Sequence, residues 1–324
     1  MQLNEAIAEF LWGYFSTHER RKRTKEAYYA DLVQFKKFVG EETGLLSLSG
    51  SAIEQWAAQL RHEKYAPASI RRKMVSLRVF CAYWMRKGTL SESPFWRVKL
   101  SLGRIEQLPR TLTEGEIQAL LNQARRKHMT VETDSKRARA TLTRLSQASS
   151  RPYRALRNLA LVDILFATGM RVGEASTLDT QDFLAKEAVF RVQGKGGRDR
   201  LAFVVDEETL QIQREHLEAR LRIETKSPAL FLNASGERLS TQGITIVIAQ
   251  LRREAGIERH VTPHMLRHTV ATLLLRNEVD IRVVQEFLGH ASIETTQRYT
   301  HVSKEHMIGV LRKNHPSMGL RAKV

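Results

Sequence analysis

The segment Thr262-Pro263-His264-Met265-Leu266-Arg267-His268 is where residue types and spacing first suggest chemistry. Thr262 is a good N-cap, and Pro263 suits the first helical position. His264 then falls in the first turn, where backbone N–H groups and the helix dipole favour an anion. Arg267 lies three residues on and shares a face with it. A first-turn histidine and arginine on one face make a phosphate clamp. His264 and His268 also have the i, i+4 spacing of a zinc helix. Met265 stands where a metalloprotease carries its glutamate, so no metal site is expected. A pair of ordinary surface residues is the third reading, and this segment alone does not choose among them.

Four more residues stand in suggestive settings. Arg171 opens a helix just past Gly169, and a guanidinium there can grip a phosphate through two N–H groups. Lys195 lies in Gly194-Lys195-Gly196-Gly197, whose glycines let backbone come close to a ligand. That run lacks the earlier glycine of a nucleotide-binding loop and the Ser/Thr that follows its lysine. His290 follows Phe287-Leu288-Gly289, where Gly289 suits a helix C-cap. Ser292 can start the next helix, and Tyr299 comes nine residues after His290.

The elements that must hold these residues are mostly helical. Thr24 precedes a run with Tyr28, Leu32, Phe35 and Val39 at helical spacing, closed by Gly40. Ser49 or Ser51 caps a helix carrying Ile53, Trp56 and Leu60. Pro67 opens a third, with Ile70, Met74, Leu77, Phe80 and Cys81 on one side. Arg71, Arg72, Lys73 and Arg78 lie mostly on the other. Residues 97–112 read as a linker, after which Thr113 and Glu116 form a capping box. Residues 127–152 are polar and basic, without apolar periodicity, and read as a solvated loop or a short surface helix, with a DNA or subunit contact as the alternative. A helix runs from Tyr153 to Thr168, and another starts at Met170–Glu174. The β-rich runs Ala188–Val192 and Leu201–Val205 form a hairpin around the Lys195 tip. Helices then resume to the end, with Leu266, Val270, Leu273 and Leu274 as one buried stripe.

Charge narrows the partner. The 324 residues carry 52 Lys+Arg against 35 Asp+Glu, net +17, which argues for a polyanion. The excess is shared: 19 against 11 up to Arg110, and 33 against 24 beyond it. Two domains facing one polyanion are therefore expected, rather than a neutral domain with a basic tail. No run approaches the roughly 18 apolar residues of a spanning helix, so no membrane is expected. The N-terminus lacks the pattern of a signal peptide. Cys81, the single cysteine, rules out an internal disulfide and points to a reducing cytoplasm.

Arg171, Lys195, His264-x-x-Arg267, His290 and Tyr299 follow one another along the chain, each in its own context. In that order, and in the segments Ala167–Glu174, Gly194–Arg200, His264–His268 and Leu288–His301, the sequence resembles the tyrosine recombinase (phage integrase) family. Residues 1–110 also look like the family's helical core-binding domain, so the resemblance covers nearly the whole chain. The layout is Xer-like, or that of a simple two-domain integrase.

The resemblance implies a fold that is mainly α with a small β-sheet. A SAM-like core-binding domain occupies 1–96, a linker 97–112, and the catalytic domain 113–324. The tail beyond Tyr299, with Val302, Met307, Ile308, Val310 and Leu311, is expected to dock on a neighbouring subunit. It implies a site-specific recombinase that cuts DNA through a 3′-phosphotyrosyl link and leaves a free 5′-hydroxyl. Tyr299 would be the nucleophile; its phenol, with a pKa of ~10, needs help at neutral pH. Arg171 and Arg267 would neutralise the non-bridging oxygens, and Lys195 would protonate the leaving oxygen. His264 would bind the phosphate and take the tyrosine proton, and His290 would complete the site. Arg71, Arg72, Lys73, Arg198 and Arg200 are the candidate DNA contacts. The link conserves bond energy, so no cofactor, metal or ATP is implied. The partners would be double-stranded DNA with paired recombination sites, and a homo-tetramer, or a hetero-tetramer with a paralogue, at synapsis. A type IB topoisomerase-like nicking-closing enzyme and a non-cleaving DNA-binding protein are the alternatives.

Because both halves are basic, DNA binding should weaken steeply with salt, at about −0.9 in log–log slope for each phosphate neutralised. Titration at several salt concentrations should also show weaker binding by residues 111–324 alone than by the full chain. A flat slope, or full affinity from that fragment, contradicts the expectation.

Overall fold

The computed structural model describes residues 1–16, 22–100, 111–137, 147–193, 199–289 and 304–317. The chain divides into two compact units, Met1–Gln107 and Leu108–Val324.

In the first unit four helices share one core: α1 (Leu3–Ser16), α2 (Lys22–Val39), α3 (Gly50–His62) and α4 (Pro67–Arg86). The periodicity accounts for this directly. Leu3, Ala6, Ile7, Phe10, Leu11 and Tyr14 recur at helical spacing and are all buried. Ser49 is the cap of α3, accepting from the Ala52 N–H at 3.2 Å. The packing is aromatic: Phe10 meets Phe80 edge to face at 5.4 Å, and Phe35 lies 4.9 Å from Trp56.

The second unit is built round α6 (Arg151–Thr168), which is buried at nearly every position from Tyr153 on. It packs against α5 (Glu114–Arg137), α8 (Glu207–Leu221) and α10 (Pro263–Arg276). The capping box that starts α5 is present: the Thr113 N–H donates to Glu116 at 2.7 Å, and the Glu116 N–H to Thr113 Oγ1 at 3.2 Å. A short helix, α7 (Val172–Thr177), leads to a three-stranded antiparallel sheet in the order β1-β2-β3. Its strands are β1 (Phe183–Leu184), β2 (Val189–Gln193) and β3 (Asp199–Phe203). Gln193 pairs with Asp199 and Val192 with Arg200, which fixes the register just inside the tip. Helices α9 (Thr241–Glu254), α11 (Ile281–Leu288) and α12 (Lys304–Asn314) complete the unit.

Three expectations change. The polar stretch from residue 127 is not a loop at its start: α5 continues through it to Arg137, because nothing before that point breaks a helix. Residues 222–240 are not helical, but carry turns and the isolated bridges Asp179↔Ala229 and Leu232↔Arg238. The apolar residues of α12 have a use within one chain. Met307 and Leu311 are buried in the core of the second unit, and Ile308 and Val310 pack against it. Val302 lies outside the described residues.

His216 on α8 is fully buried, stacked between Tyr153 at 5.9 Å and Phe231 at 5.0 Å. Among the described residues neither ring nitrogen has a hydrogen-bond partner. Burial, reinforced by the charges of Arg157 and Arg220, pushes its pKa down to about 3. The folded chain thus keeps the ring neutral, while the unfolded chain protonates it below about 6.5. Stability contributed by this difference is complete above that pH and declines toward about 3, by up to ~1.4 kcal/mol per pH unit. His216→Phe keeps the stack and removes the proton. Urea midpoints at pH 7 and pH 5 should fall less for the variant than for the parent; equal falls contradict the assignment.

Candidate active site

Helix α11 ends at Leu288, and Gly289 follows in the left-handed region at φ 65°. The last carbonyls of a helix have no acceptor role left within it and carry the negative end of the dipole. Here three arginines from three other elements meet them. Arg200 Nη1, from β3, donates to the Phe287 carbonyl at 3.3 Å. Arg267 Nη2, from α10, donates to the Leu288 carbonyl at 2.7 Å. Arg171 Nη2, the N-cap of α7, reaches the Gly289 carbonyl at 3.5 Å.

Arg267 has a second task. Its Nη1 donates to the Gly169 carbonyl at 2.7 Å, so one buried guanidinium ties the turn before Arg171 to the turn before His290. The two turns also touch. Gly169 has φ 58°, and a Cβ there would lie 2.5 Å from the Leu288 Cδ2. Burial, with the nearby positive charge of Arg171, lowers the Arg267 pKa to about 10 despite the opposing charge of Glu174, so it stays protonated at neutral pH.

One carboxylate stands among the three cations. Glu174 Oε2 accepts from the Arg171 backbone N–H at 2.8 Å and from Arg200 Nη2 at 2.9 Å, while Oε1 accepts from Arg171 Nη1 at 2.8 Å. Burial alone would raise its pKa; the Arg200 charge and the hydrogen bonds from both arginines outweigh that and hold it below the ordinary carboxylate value. Three guanidiniums and one ionised carboxylate leave an excess of two positive charges at this turn. Arg171 keeps 39% of its side chain exposed, so the cluster opens to solvent there. Such a cluster can hold a phosphate and the extra charge of its transition state.

The sequence-predicted cap is present at α10, where Thr262 Oγ1 accepts from the Met265 N–H at 3.3 Å. His264, in the first turn, is exposed, whereas Arg267 is buried. Of the six catalytic candidates the structure brings Arg171 and Arg267 together at the α11 terminus. Lys195, His290 and Tyr299 lie outside the described residues, as does Arg198. Glu174 is the functional residue that the order of motifs misses, although its spacing of three from a helix-opening residue is a capping signal.

Two candidate DNA contacts are corrected. Lys73 does not face solvent: it is 6% exposed, and its Nζ donates to Asp31 at 3.0 Å and Gln34 at 2.6 Å. Asp31 is itself buried and also accepts from Ser76 and, through both oxygens, from Arg72. An isolated buried carboxylate is costly, so the ammonium serves to neutralise it. Arg200 is turned inward onto Glu174 and the α11 terminus, with 16% of its side chain exposed. Arg71 remains exposed on α4.

Comparisons with known proteins place the chain by family and fold. Residues 138–306 match the phage integrase family, and residues 7–88 match the phage integrase N-terminal SAM-like domain. Tyrosine recombinase XerD of Listeria monocytogenes is 32% identical over 320 residues, covering 97% of this chain and 99% of that protein. Tyrosine recombinase XerC of Listeria welshimeri is 30% identical over 314 residues, covering 95% and 96%. Among solved structures, the Tn1549 transposon integrase in complex with transposon right end DNA has the same fold, with a TM-score of 0.67 at 17% identity, covering 97% of this chain and 99% of that one.

Arg267→Ala should destabilise the protein as well as disable the site, because it strands the Gly169 and Leu288 carbonyls. At about 1–3 kcal/mol for each buried group left unsatisfied, the loss for the two is roughly 2–6 kcal/mol. Thermal unfolding should then start several degrees lower. A variant as stable as the parent contradicts this tying role.

Proposed function

This chain belongs to the phage integrase family, the tyrosine recombinases, and from that membership we infer how its residues divide the work of cutting and rejoining DNA. The enzyme is a site-specific recombinase acting by strand cleavage and transesterification. The guanidinium cluster at the end of α11 is the observation that most supports the division. Arg171 and Arg267 hold the non-bridging oxygens of the scissile phosphate, supplying the two positive charges that the five-coordinate transition state requires. His264, exposed in the first turn of α10 three residues before Arg267, hydrogen-bonds the phosphate and accepts the proton of the attacking phenol.

The remaining roles follow from the sequence and the family. Tyr299 Oη attacks phosphorus, forming the phosphotyrosyl bond as the P–O5′ bond breaks. Lys195 delivers its proton to the departing O5′, and His290 completes the phosphate site. The 5′-hydroxyl of a second strand then attacks the phosphotyrosine, releasing Tyr299 and exchanging the strands. Four strands are cut in the full exchange, so four copies act together, as a homo-tetramer or with a paralogue. The first unit binds DNA through the core-binding domain of residues 1–96, with Arg71 and Arg72 on its basic side. The single cysteine, buried and unpaired, suits the cytoplasm.

The test uses a nicked suicide duplex built on a site selected by the parent protein from a randomised duplex library. Tyr299→Phe should bind it and form no covalent adduct. Lys195→Ala should cleave about 10²–10⁴-fold more slowly, the usual worth of positioned acid catalysis. Sulfur in place of the leaving 5′ oxygen should restore much of that loss, since a thiolate leaves without a proton, and should rescue Arg171→Ala far less. Equal rescue of both would move the acid away from Lys195, and adducts from Tyr299→Phe would overturn the mechanism. A supercoiled plasmid with two selected sites separates the outcomes: recombinant products support exchange, and relaxation alone supports a nicking-closing enzyme.

A further inference from the structure

We propose that Arg200 is a positioning residue for this reaction: it neutralises Glu174, so that Arg171 and Arg267 meet the phosphate with their charges undiminished. The proposal rests on the phosphoryl-transfer reading above. It reassigns a residue whose type and hairpin setting suggested a DNA contact.

Four observations converge on it. First, the head group faces inward, with Nη2 on Glu174 Oε2 at 2.9 Å and Nη1 on the Phe287 carbonyl at 3.3 Å. Second, Glu174 is shared. Its two oxygens hold Arg171 through both backbone and side chain, so without Arg200 the whole carboxylate charge would fall on Arg171. Third, the stem of Arg200 lies under the turn that precedes His290. A Cβ at Gly289 would come within 2.4 Å of its Cδ and 2.6 Å of its Nε. A side chain at Gly289 would therefore push Arg200 out of its place, and the φ of 65° separately favours glycine there. Fourth, Arg200 pairs with Val192 across the β2–β3 ladder, one step inside the closing pair Gln193↔Asp199. β3, which follows Lys195 in the sequence, is thus fastened at its second residue to both the Arg171 helix and the α11 terminus.

The charges show why this matters to the chemistry. With Arg200 present, its charge and that of Glu174 cancel, and two guanidinium charges remain for a transition state that gains a second negative charge. Without it, Glu174 cancels one of those two, and the site enters the chemical step with half its excess. Binding of the starting phosphate within a long DNA contact should suffer little. The rate of cleavage should suffer more.

The experiment measures single-turnover adduct formation and DNA affinity of the full chain on the selected nicked duplex. Arg200→Met keeps the apolar stem beneath Gly289 and removes the charge. It should bind DNA within a few-fold of the parent and cleave about 10–100-fold more slowly, the usual cost of losing a supporting partner behind an active group. Adding Glu174→Gln removes the charge that Arg200 had cancelled, and Arg200→Met/Glu174→Gln should cleave faster than Arg200→Met alone. Arg200→Lys, which keeps the charge, should also be faster than Arg200→Met. The proposal is overturned if Arg200→Met cleaves at the parental rate, if its loss of rate merely follows its loss of DNA affinity, or if the double variant is no faster. Thermal melting of each variant separates these outcomes from misfolding. Should Arg200→Met fail to fold, an Arg200→Lys variant that folds and binds but cleaves 10-fold or more below the parent overturns it too. A parent protein that forms no adduct would remove the phosphoryl-transfer reading itself, and this inference with it.

Discussion

Three guanidiniums share the C-terminal carbonyls of one short helix, and the rest of the catalytic unit is arranged so that this can happen. Phe287, Leu288 and Gly289 present successive acceptors at the negative end of α11. Arg200, Arg267 and Arg171 reach them from a strand, a helix and a helix cap that are far apart in the chain. Gathering three like charges is unfavourable by itself. The helix terminus and the single carboxylate of Glu174 offset that cost, and two charges are left over. The same contacts that make the site stable therefore also set its net charge. Mutations here should be read on both scales, since a lost guanidinium strands a carbonyl as well as weakening the hold on a phosphate.

The helix ends around the site were legible because their signals are local. Thr262 and Pro263 mark the start of α10, Thr113 and Glu116 that of α5, and Gly169 and Gly289 adopt the left-handed caps that a glycine after an apolar helix suggests. The hairpin was legible from two β-rich runs, although the short strand β1 was not, being only two residues long. What local signals could not show is which cations are already engaged. Lys73 and Arg71 look alike in the sequence. Only the fold reveals that Asp31, 42 residues away from Lys73, is buried beneath it. Arg200 likewise resembles a phosphate contact until Glu174, on another element, is seen to hold it.

The polar composition from residue 127 left a loop and a surface helix both open for a related reason. Helix α5 continues because no residue before Arg137 breaks it, and a charged residue on it such as Lys127 pairs with Glu254 on α9. The tail misled in the opposite way. Its apolar spacing was visible, but whether it covers its own chain's core or another's depends on distant residues, and Met307 and Leu311 lie in the core of their own unit. In the tail, pattern fixed the element while long-range contact fixed its use. His216 is a third, a titratable ring that the stack of Tyr153 and Phe231 turns into part of the core.

The most direct measurement is a crystal structure of the covalent complex trapped on the nicked duplex. The account predicts phosphorus bonded to Tyr299 Oη. It predicts the non-bridging oxygens within hydrogen-bond distance of the Arg171 and Arg267 guanidiniums, and Arg200 still paired with Glu174. Phosphate attached to another residue, or seated away from the end of α11, would contradict it.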